Sequence, residues 1–281
     1  MTADTVAVVA VTYYSADIAG QFLTSLSATV GPSLEILLVD NTPEEGDLSE
    51  LTVQFPEVSV VRPGRNLGYG GGINFGVARI SDDVQWLVLA NPDLVVAPDT
   101  IATLIDAAKR HPRAAALGPL IRATDGSVYP SARKLPSLRT GIGHALFVRI
   151  WPKNPWTASY RNDLATIDER AVGWLSGSFL LVRREAFEAI GGFDERYFMY
   201  FEDVDLCRNL GMAGWENYYI PTAEVVHHGA LSTSRSARLM LKAHHESAYR
   251  YLAKRYRGWY LWPVRVVLRL GLKARSWIAK G

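Results

Sequence analysis

The order of its apolar runs limits this chain more than anything else in it. Val6–Thr12, Leu34–Asp40, Val58–Arg62 and Trp86–Asn91 are short, rich in β-branched residues and bounded by polar turns, as buried strands are. Ala115–Pro119 reads as a fifth strand. Helical patterns lie between some of them at Ile18–Ser27, Tyr69–Ile80 and Pro98–His111, with a weaker one over Glu44–Phe55. Alternation of this kind predicts an α/β fold with a mostly parallel sheet and right-handed crossovers. Such sheets bind ligands beyond the carboxyl ends of their strands. At those ends stand Thr12-Tyr13, Asp40-Asn41, Arg65-Asn66 just past the third strand, and Asn91-Pro92-Asp93.

After residue 120 the rhythm breaks. Residues 120–170 are rich in Pro, Arg and Trp and predict a mobile loop with a short amphipathic segment. Ala171–Arg183 returns to strand character, helices follow at Glu185–Ile190 and Glu202–Met212, and Glu216–Ile220 and Glu224–His228 read as short strands. Arg235–Arg257 and Trp259–Ile278 carry amphipathic helical patterns. The chain therefore divides into a body, 1–234, whose halves meet near residue 119, and a helical tail, 235–281.

Charge supports that division. The net charge is only +2 over 281 residues, yet residues 235–281 hold 12 Lys and Arg against one acid, Glu246. The same segment holds Trp259, Trp262, Trp277 and four tyrosines. Basic and interfacial aromatic residues together suit an anionic membrane surface, whereas no nucleic-acid recognition fold accompanies the charge. No run of about 18 uncharged apolar residues exists, so no spanning helix is expected. The N-terminus lacks a basic leader region, and the single Cys207 permits no internal disulfide; both fit a reducing, cytoplasmic setting.

Four elements carry chemistry. Gly191–Trp215 crowds Asp194, Glu195, Glu202, Asp203 and Asp205 among five aromatic residues, a mixture that core packing alone does not explain. A carboxylate at an apolar wall has its pKa raised toward working pH and can take a proton, although acids also simply favour a helix start. Arg65–Asn74 is a glycine-rich turn entering a helix, readable as an anion site or as a packing turn. It lacks the Gly-Lys-Ser/Thr of a phosphate loop, and it follows the third strand where a dinucleotide fingerprint would follow the first. Asn91-Pro92-Asp93 stops the most apolar strand and presents a carboxylate, a ligand suited to Mg²⁺ or Mn²⁺. His227 and His228 end a strand and point to opposite faces, so one of them can serve a given site. Arg208, three residues after Asp205, reads as its structural partner.

Taken in order, VTYYSA, LLVDNT, RNLGYGGGIN, LANPD, GSFLLVRREAFEAIGGFDERYFMYFEDVDLCRNL and HHGALST resemble the motifs of family 2 glycosyltransferases over roughly residues 6–232. The resemblance implies a GT-A fold, with residues 1–119 binding a nucleotide-sugar and 120–234 completing the acceptor and catalytic half. It implies that Thr12, Tyr14, Asp40, Asn41, Arg65, Asn66, Gly68, Asn74, Asn91 and Asp93 line the donor site, Asp40 toward the base. Asp93 and His227 would hold Mg²⁺ or Mn²⁺ with the diphosphate; Asn91 stands where many members carry another acid, leaving one carboxylate fewer. Asp203 matches the catalytic base, with Glu202 beside it. Within the family the pattern is most similar to actinobacterial cell-wall rhamnosyltransferases. That likeness implies inverting transfer of L-rhamnose from dTDP-rhamnose onto polyprenyl-diphosphate-linked GlcNAc, for the arabinogalactan linker, at the inner face of the cell membrane. A homodimer stays open as another use of the tail. The rivals are a UDP-sugar transferase of the same fold and a non-catalytic nucleotide-sugar or glycan-binding protein.

Overall fold

The computed structural model describes residues 4–43, 48–137, 167–228 and 237–278. Its centre is a mixed, mostly parallel sheet. The strands are β1 (Val6–Thr12), β2 (Leu34–Asp40), β3 (Val58–Val61), β4 (Trp86–Ala90), β5 (Leu94–Val96), β6 (Ala114–Ala123), β11 (Phe179–Arg183) and β12 (Glu216–His227), in the spatial order β3-β2-β1-β4-β11-β6-β12-β5. β1 pairs in parallel with β2 and with β4, and β2 in parallel with β3. The chain thus winds outward from β1 and returns to its other side. A crevice opens where the direction reverses, between the carboxyl ends of β1 and β4. Thr12 and Asn91 flank it.

Helices cover both faces, which is why the strands are apolar throughout. In β1, Val6, Val8 and Ala10 enter one core while Ala7 and Val9 enter the other. The first core takes α1 (Ala16–Ser27), α2 (Ser49–Gln54) and α4 (Thr100–Arg110), through Phe22, Leu23, Leu51, Ile101 and Leu104. The second takes α3 (Gly68–Val77), α5 (Arg184–Ala189) and α6 (Glu202–Met212), through Ile73, Val77, Phe187, Leu206 and Leu210.

β11 runs antiparallel to β4, with Phe179 opposite Ala90. The residues just before β11 therefore sit at the carboxyl end of β4. Sequence periodicity merges this region into one strand over Ala171–Arg183, but the chain forms β9 (Arg170–Val172), β10 (Trp174–Leu175) and β11. The breaks have steric and functional causes. A Cβ at Gly173 would lie 2.3 Å from the backbone nitrogen of Leu135, in the segment after β8 (Ala132–Arg133), and Ser176–Ser178 turns through the site described below.

Conversely, the two strands expected over 216–228 are one, β12, with a register shift between Ile220 and Glu224 where Pro221 withholds a ladder donor. Short β5 and β7 (Val128–Tyr129) carry no clear pattern of their own and were not expected. Most of the 120–170 loop and its amphipathic segment, and the start of the Glu44–Phe55 helix, lie outside the described residues.

The tail begins as α7 (Ala237–Arg255) and ends as α8 (Trp262–Ile278), joined by a turn over Trp259–Leu261. Ser247, Ala248 and Tyr251 of α7 are buried. By contrast Trp259, Tyr260, Trp262, Val266, Val267 and Leu270 are exposed. Arg265 does not face outward as a lipid-binding cation would; its guanidinium donates to the carbonyls of Tyr256 and Gly258, both at 2.8 Å. Among the described residues no helix is long and apolar enough to cross a membrane.

Candidate active site

The switch-point crevice collects the donor-side residues. Thr12 is buried, its hydroxyl 2.9 Å from that of Ser15. Asn41 N–H donates to the Thr12 carbonyl at 2.9 Å, joining the ends of β1 and β2. Asp40 is buried; it accepts from Arg62 Nε at 3.0 Å and from Thr42 N–H at 3.1 Å. A carboxylate has about four acceptor positions, so Asp40 can still receive a donor from a ligand. Asn41 donates from Nδ2 to the Gly68 carbonyl at 2.9 Å, leaving its buried Oδ1 without a partner. Tyr14 is exposed and left-handed (φ 49°), a conformation uncommon for a bulky residue. Arg65 is exposed at the rim, and Asn66 Oδ1 accepts the N–H of Gly68 at 2.8 Å.

Packing explains most of the glycine-rich turn. Gly68 has φ 73°, and a Cβ there would lie 2.1 Å from the carbonyl oxygen of Phe198. At Gly76 a Cβ would lie 2.5 Å from Val9, so α3 can rest on β1 only without one. Asn74, expected among the donor-binding residues, is engaged elsewhere. Its Oδ1 accepts from Phe193 N–H at 2.9 Å, and its Nδ2 donates to the Phe193 carbonyl at 2.9 Å and Glu195 Oε1 at 3.1 Å. The side chain ties α3 to the acid-rich segment and has no donor left for a nucleotide.

That segment ends in two consecutive left-handed residues, Tyr200 (φ 66°) and Phe201 (φ 65°), immediately before α6. Such backbone costs about 1–3 kcal/mol per residue and persists where surroundings enforce it, commonly at functional sites. The turn delivers Glu202 and Asp203 to the helix start. Glu202 is buried and its Oε2 has no hydrogen-bond partner. Asp203 keeps part of its surface open and accepts two backbone donors, Gly177 N–H on Oδ2 at 2.9 Å and Val204 N–H on Oδ1 at 2.8 Å.

Burial raises the pKa of both acids, and the charge of Asp203 raises that of Glu202 further. The hydrogen bonds decide where the pair's proton sits. Two N–H groups favour the charged form of Asp203, so Glu202 holds the proton and Asp203 the negative charge.

Periodicity did not mark the loop that joins the two sides. Asn91 N–H donates to the Ser178 carbonyl at 2.9 Å, while neighbouring Gly177 holds Asp203. Tyr69 of α3 donates its hydroxyl to the Gly177 carbonyl, and burial followed by the charges of Glu202 and Asp203 raises its pKa. Ser176–Ser178 thus binds the end of β4, the glycine-rich helix and the acid pair into one site. Its marks in the sequence are the small-residue run Ser-Gly-Ser before an apolar strand and the motif GSFLLVRR, which opens on Gly177 and Ser178.

On the far side of β4, His227 Nε2 lies 3.0 Å from Asp93 Oδ1 and His228 N–H donates to the Asp93 carbonyl at 3.0 Å. His227 is therefore the histidine that meets Asp93. The two side chains are about one-fifth exposed. Among the described residues no group of three or more His, Cys, Asp or Glu could hold a metal. One carboxylate and one imidazole suit a divalent cation that draws its remaining ligands from a diphosphate. Cys207, buried and apolar in its surroundings, takes no part; burial pushes its thiol up to about 12.

A groove at the opposite end of the sheet, lined by Trp86, Lys109, Arg183 and Arg184, has its cations already paired or stacked, as in Lys109–Asp4, Arg184–Glu188 and Arg183 over Trp86.

Comparison with known proteins agrees with this geometry. The model of glycosyl transferase family 2 matches residues 7–191. An N-acetylglucosaminyl-diphospho-decaprenol L-rhamnosyltransferase of Mycobacterium tuberculosis is 49% identical over 97% of this chain and 92% of its own length. Rhamnosyltransferase WbbL of Escherichia coli is 30% identical over 67% of this chain and 71% of its own. Among solved structures, mannosyltransferase PcManGT of Pyrobaculum calidifontis, in complex with GDP-Man and Mn²⁺, superposes with a TM-score of 0.62 at 17% identity, over 98% of this chain and 74% of that one. With its sheet, switch-point crevice and acid pair all in the expected order, the chain belongs to glycosyl transferase family 2 and is a glycosyltransferase of GT-A fold.

Proposed function

We propose that this enzyme transfers L-rhamnose, with inversion, from dTDP-rhamnose onto N-acetylglucosamine carried by a polyprenyl diphosphate, in cell-wall polysaccharide synthesis. The observation that carries the reading is the 49% identity, over nearly the whole chain, to the mycobacterial rhamnosyltransferase named above. The site chemistry supports it. Asp203, charged and fixed by two backbone N–H groups, keeps a lone pair for the proton of an acceptor hydroxyl. That oxygen attacks the anomeric carbon as the diphosphate leaves. Asp93 and His227 would hold Mg²⁺ or Mn²⁺, which neutralises charge on a diphosphate. Arg62 and Arg65, near Asp40 and the glycine-rich turn, add positive charge on the donor side.

Calorimetry tests the donor. With Mn²⁺ present, dTDP-rhamnose should bind, and UDP-galactose and UDP-GlcNAc should bind much more weakly. Asp93→Ala should weaken dTDP-rhamnose binding more with Mn²⁺ than in EDTA. Tighter binding of either UDP-sugar would assign the enzyme to a different donor.

The acceptor reading extends to the tail. Trp259, Tyr260, Trp262, Val266, Val267 and Leu270 form an exposed apolar strip on a strongly basic segment. The occupant we assign is an anionic lipid surface on the inner face of the cell membrane, where such an acceptor resides. Phosphatidylglycerol-containing vesicles should bind the full chain and blue-shift its tryptophan emission. Trp262→Ser with Val267→Ser should weaken that binding and turnover of a long-chain acceptor, while transfer to a short soluble analogue continues. Concentration-dependent dimerisation through the strip without vesicle binding would overturn the lipid assignment.

A further inference from the structure

The acid pair is braced by the tail. The pair and its support in α7 both lie beyond residue 191, where the match to the family model ends. Lys254 Nζ lies 2.6 Å from Asp205 Oδ2 and 3.1 Å from Asp194 Oδ2. Asp205 is fully buried, and also receives Asn209 Nδ2 at 3.0 Å and the Tyr197 hydroxyl at 3.4 Å. Arg208, the partner that sequence spacing suggests for Asp205, is displaced from that role by Lys254.

Two further contacts converge on the same turn. Ser247 donates its hydroxyl to the Met199 carbonyl at 2.8 Å. Tyr251 is fully buried against Tyr197, Val204 and Phe201. α7 therefore grips residues 197–205 on both sides of the left-handed Tyr200–Phe201 turn. Asp205 N–H closes the first turn of α6 onto the Phe201 carbonyl at 2.9 Å, so holding Asp205 fixes the rotation of the turn that carries Asp203.

We propose that Lys254 is a positioning residue for transfer: by clamping Asp205 and Asp194 it aims the Asp203 carboxylate at the acceptor hydroxyl. The proposal rests on Asp203 being the base. It makes the tail helix part of the catalytic machinery as well as a route to the membrane. Misplacing a catalytic group by about 1 Å can cost roughly 10²-fold in rate.

Steady-state kinetics with dTDP-rhamnose and a short prenyl-diphosphate GlcNAc acceptor test this, alongside thermal melting. Lys254→Met should lower kcat roughly 10- to 100-fold and leave the KM for dTDP-rhamnose within about twofold. The charge-balanced double variant, Lys254→Met with Asp205→Asn, separates positioning from stability: its Tm should recover while kcat stays low. If the single variant does not fold, the double variant carries the test. In an Asp203→Asn background, Lys254→Met should produce no further loss, because both changes act through one group.

Recovery of kcat together with Tm in the double variant would overturn the proposal and leave Lys254 a purely structural residue. Losses that multiply with Asp203→Asn would overturn it too, while sparing the base assignment. A wild-type rate for Asp203→Asn alone would overturn the base assignment, and the positioning role with it.

Discussion

Of the five acids between Asp194 and Asp205, four fall under two opposite regimes. Asp194 and Asp205 are clamped by cations: Arg196 and Lys254 on the first, Lys254 on the second. Arg196, and then Lys254, hold the Asp194 carboxyl well below the usual carboxylate range. Glu202 and Asp203 have no ion pair among the described residues, and Arg133 is the weakest of the influences on Asp203. Their pKa values rise because they are buried. The difference is one of purpose. An acid that holds the fold must stay charged, and a nearby cation ensures it. An acid that takes a proton in each turnover needs a drier site that raises its basicity, with backbone donors that fix it in place and moderate the rise.

The largest effects are expected at the two unpaired acids themselves. Asp203→Asn keeps the shape and removes the base, so turnover should fall roughly 10²–10⁴-fold. Donor binding, measured by calorimetry, should be nearly unchanged. Glu202→Gln copies the protonated form that Glu202 already adopts. It should keep turnover within roughly tenfold, because loss of the base is what carries the larger cost. The acidic limb of its kcat–pH profile should stay in place, since Asp203 already loses its proton beside a neutral neighbour. If Glu202→Gln is the variant that loses activity, the roles within the pair are exchanged.

How far these arrangements were legible in the sequence follows from how local they are. β1, β2 and β4 announce themselves because both faces of each are buried, giving uninterrupted apolar runs. The order of the strands was not readable from those runs, because pairing of β11 between β4 and β6 is a long-range choice. Asp203 and Glu202 stood out as carboxylates among aromatics. Their holders did not: Gly177, Tyr69 and Lys254 act through contacts that span 26, 108 and 49 residues of chain, which no periodicity encodes. Asn74 shows the converse. The family resemblance implied a ligand contact for it, whereas the fold turns it toward Phe193. Helix starts and packing ties draw on the same residue types, so only the tertiary partner distinguishes them.

The smallest effect, and the one that reads the two regimes most directly, is the pH dependence of stability. Glu202 has a raised pKa in the folded protein, so the native state keeps a proton that the unfolded chain has lost. Its contribution to stability is fully present below the unfolded pKa of about 4.5 and is lost as pH rises through the folded value. Gln is neutral at every pH and escapes that loss. The Tm of Glu202→Gln relative to wild type should therefore be near zero offset at about pH 4 and grow steadily toward about pH 9. Asp194 has the opposite sign. Its folded pKa is depressed, so its contribution is present above the unfolded value of about 3.8 and disappears as pH falls through the folded one. Asp194→Asn should lower Tm at neutral pH, and the gap should close as the solution is acidified toward about pH 2. Melting curves of the three proteins across this range would then diverge in opposite directions from wild type. An offset for Glu202→Gln that stays flat or turns negative as pH rises from about 4 to 9 would mean that the fold does not raise the Glu202 pKa, and the contrast between clamped and unpaired acids would fail at its most buried member.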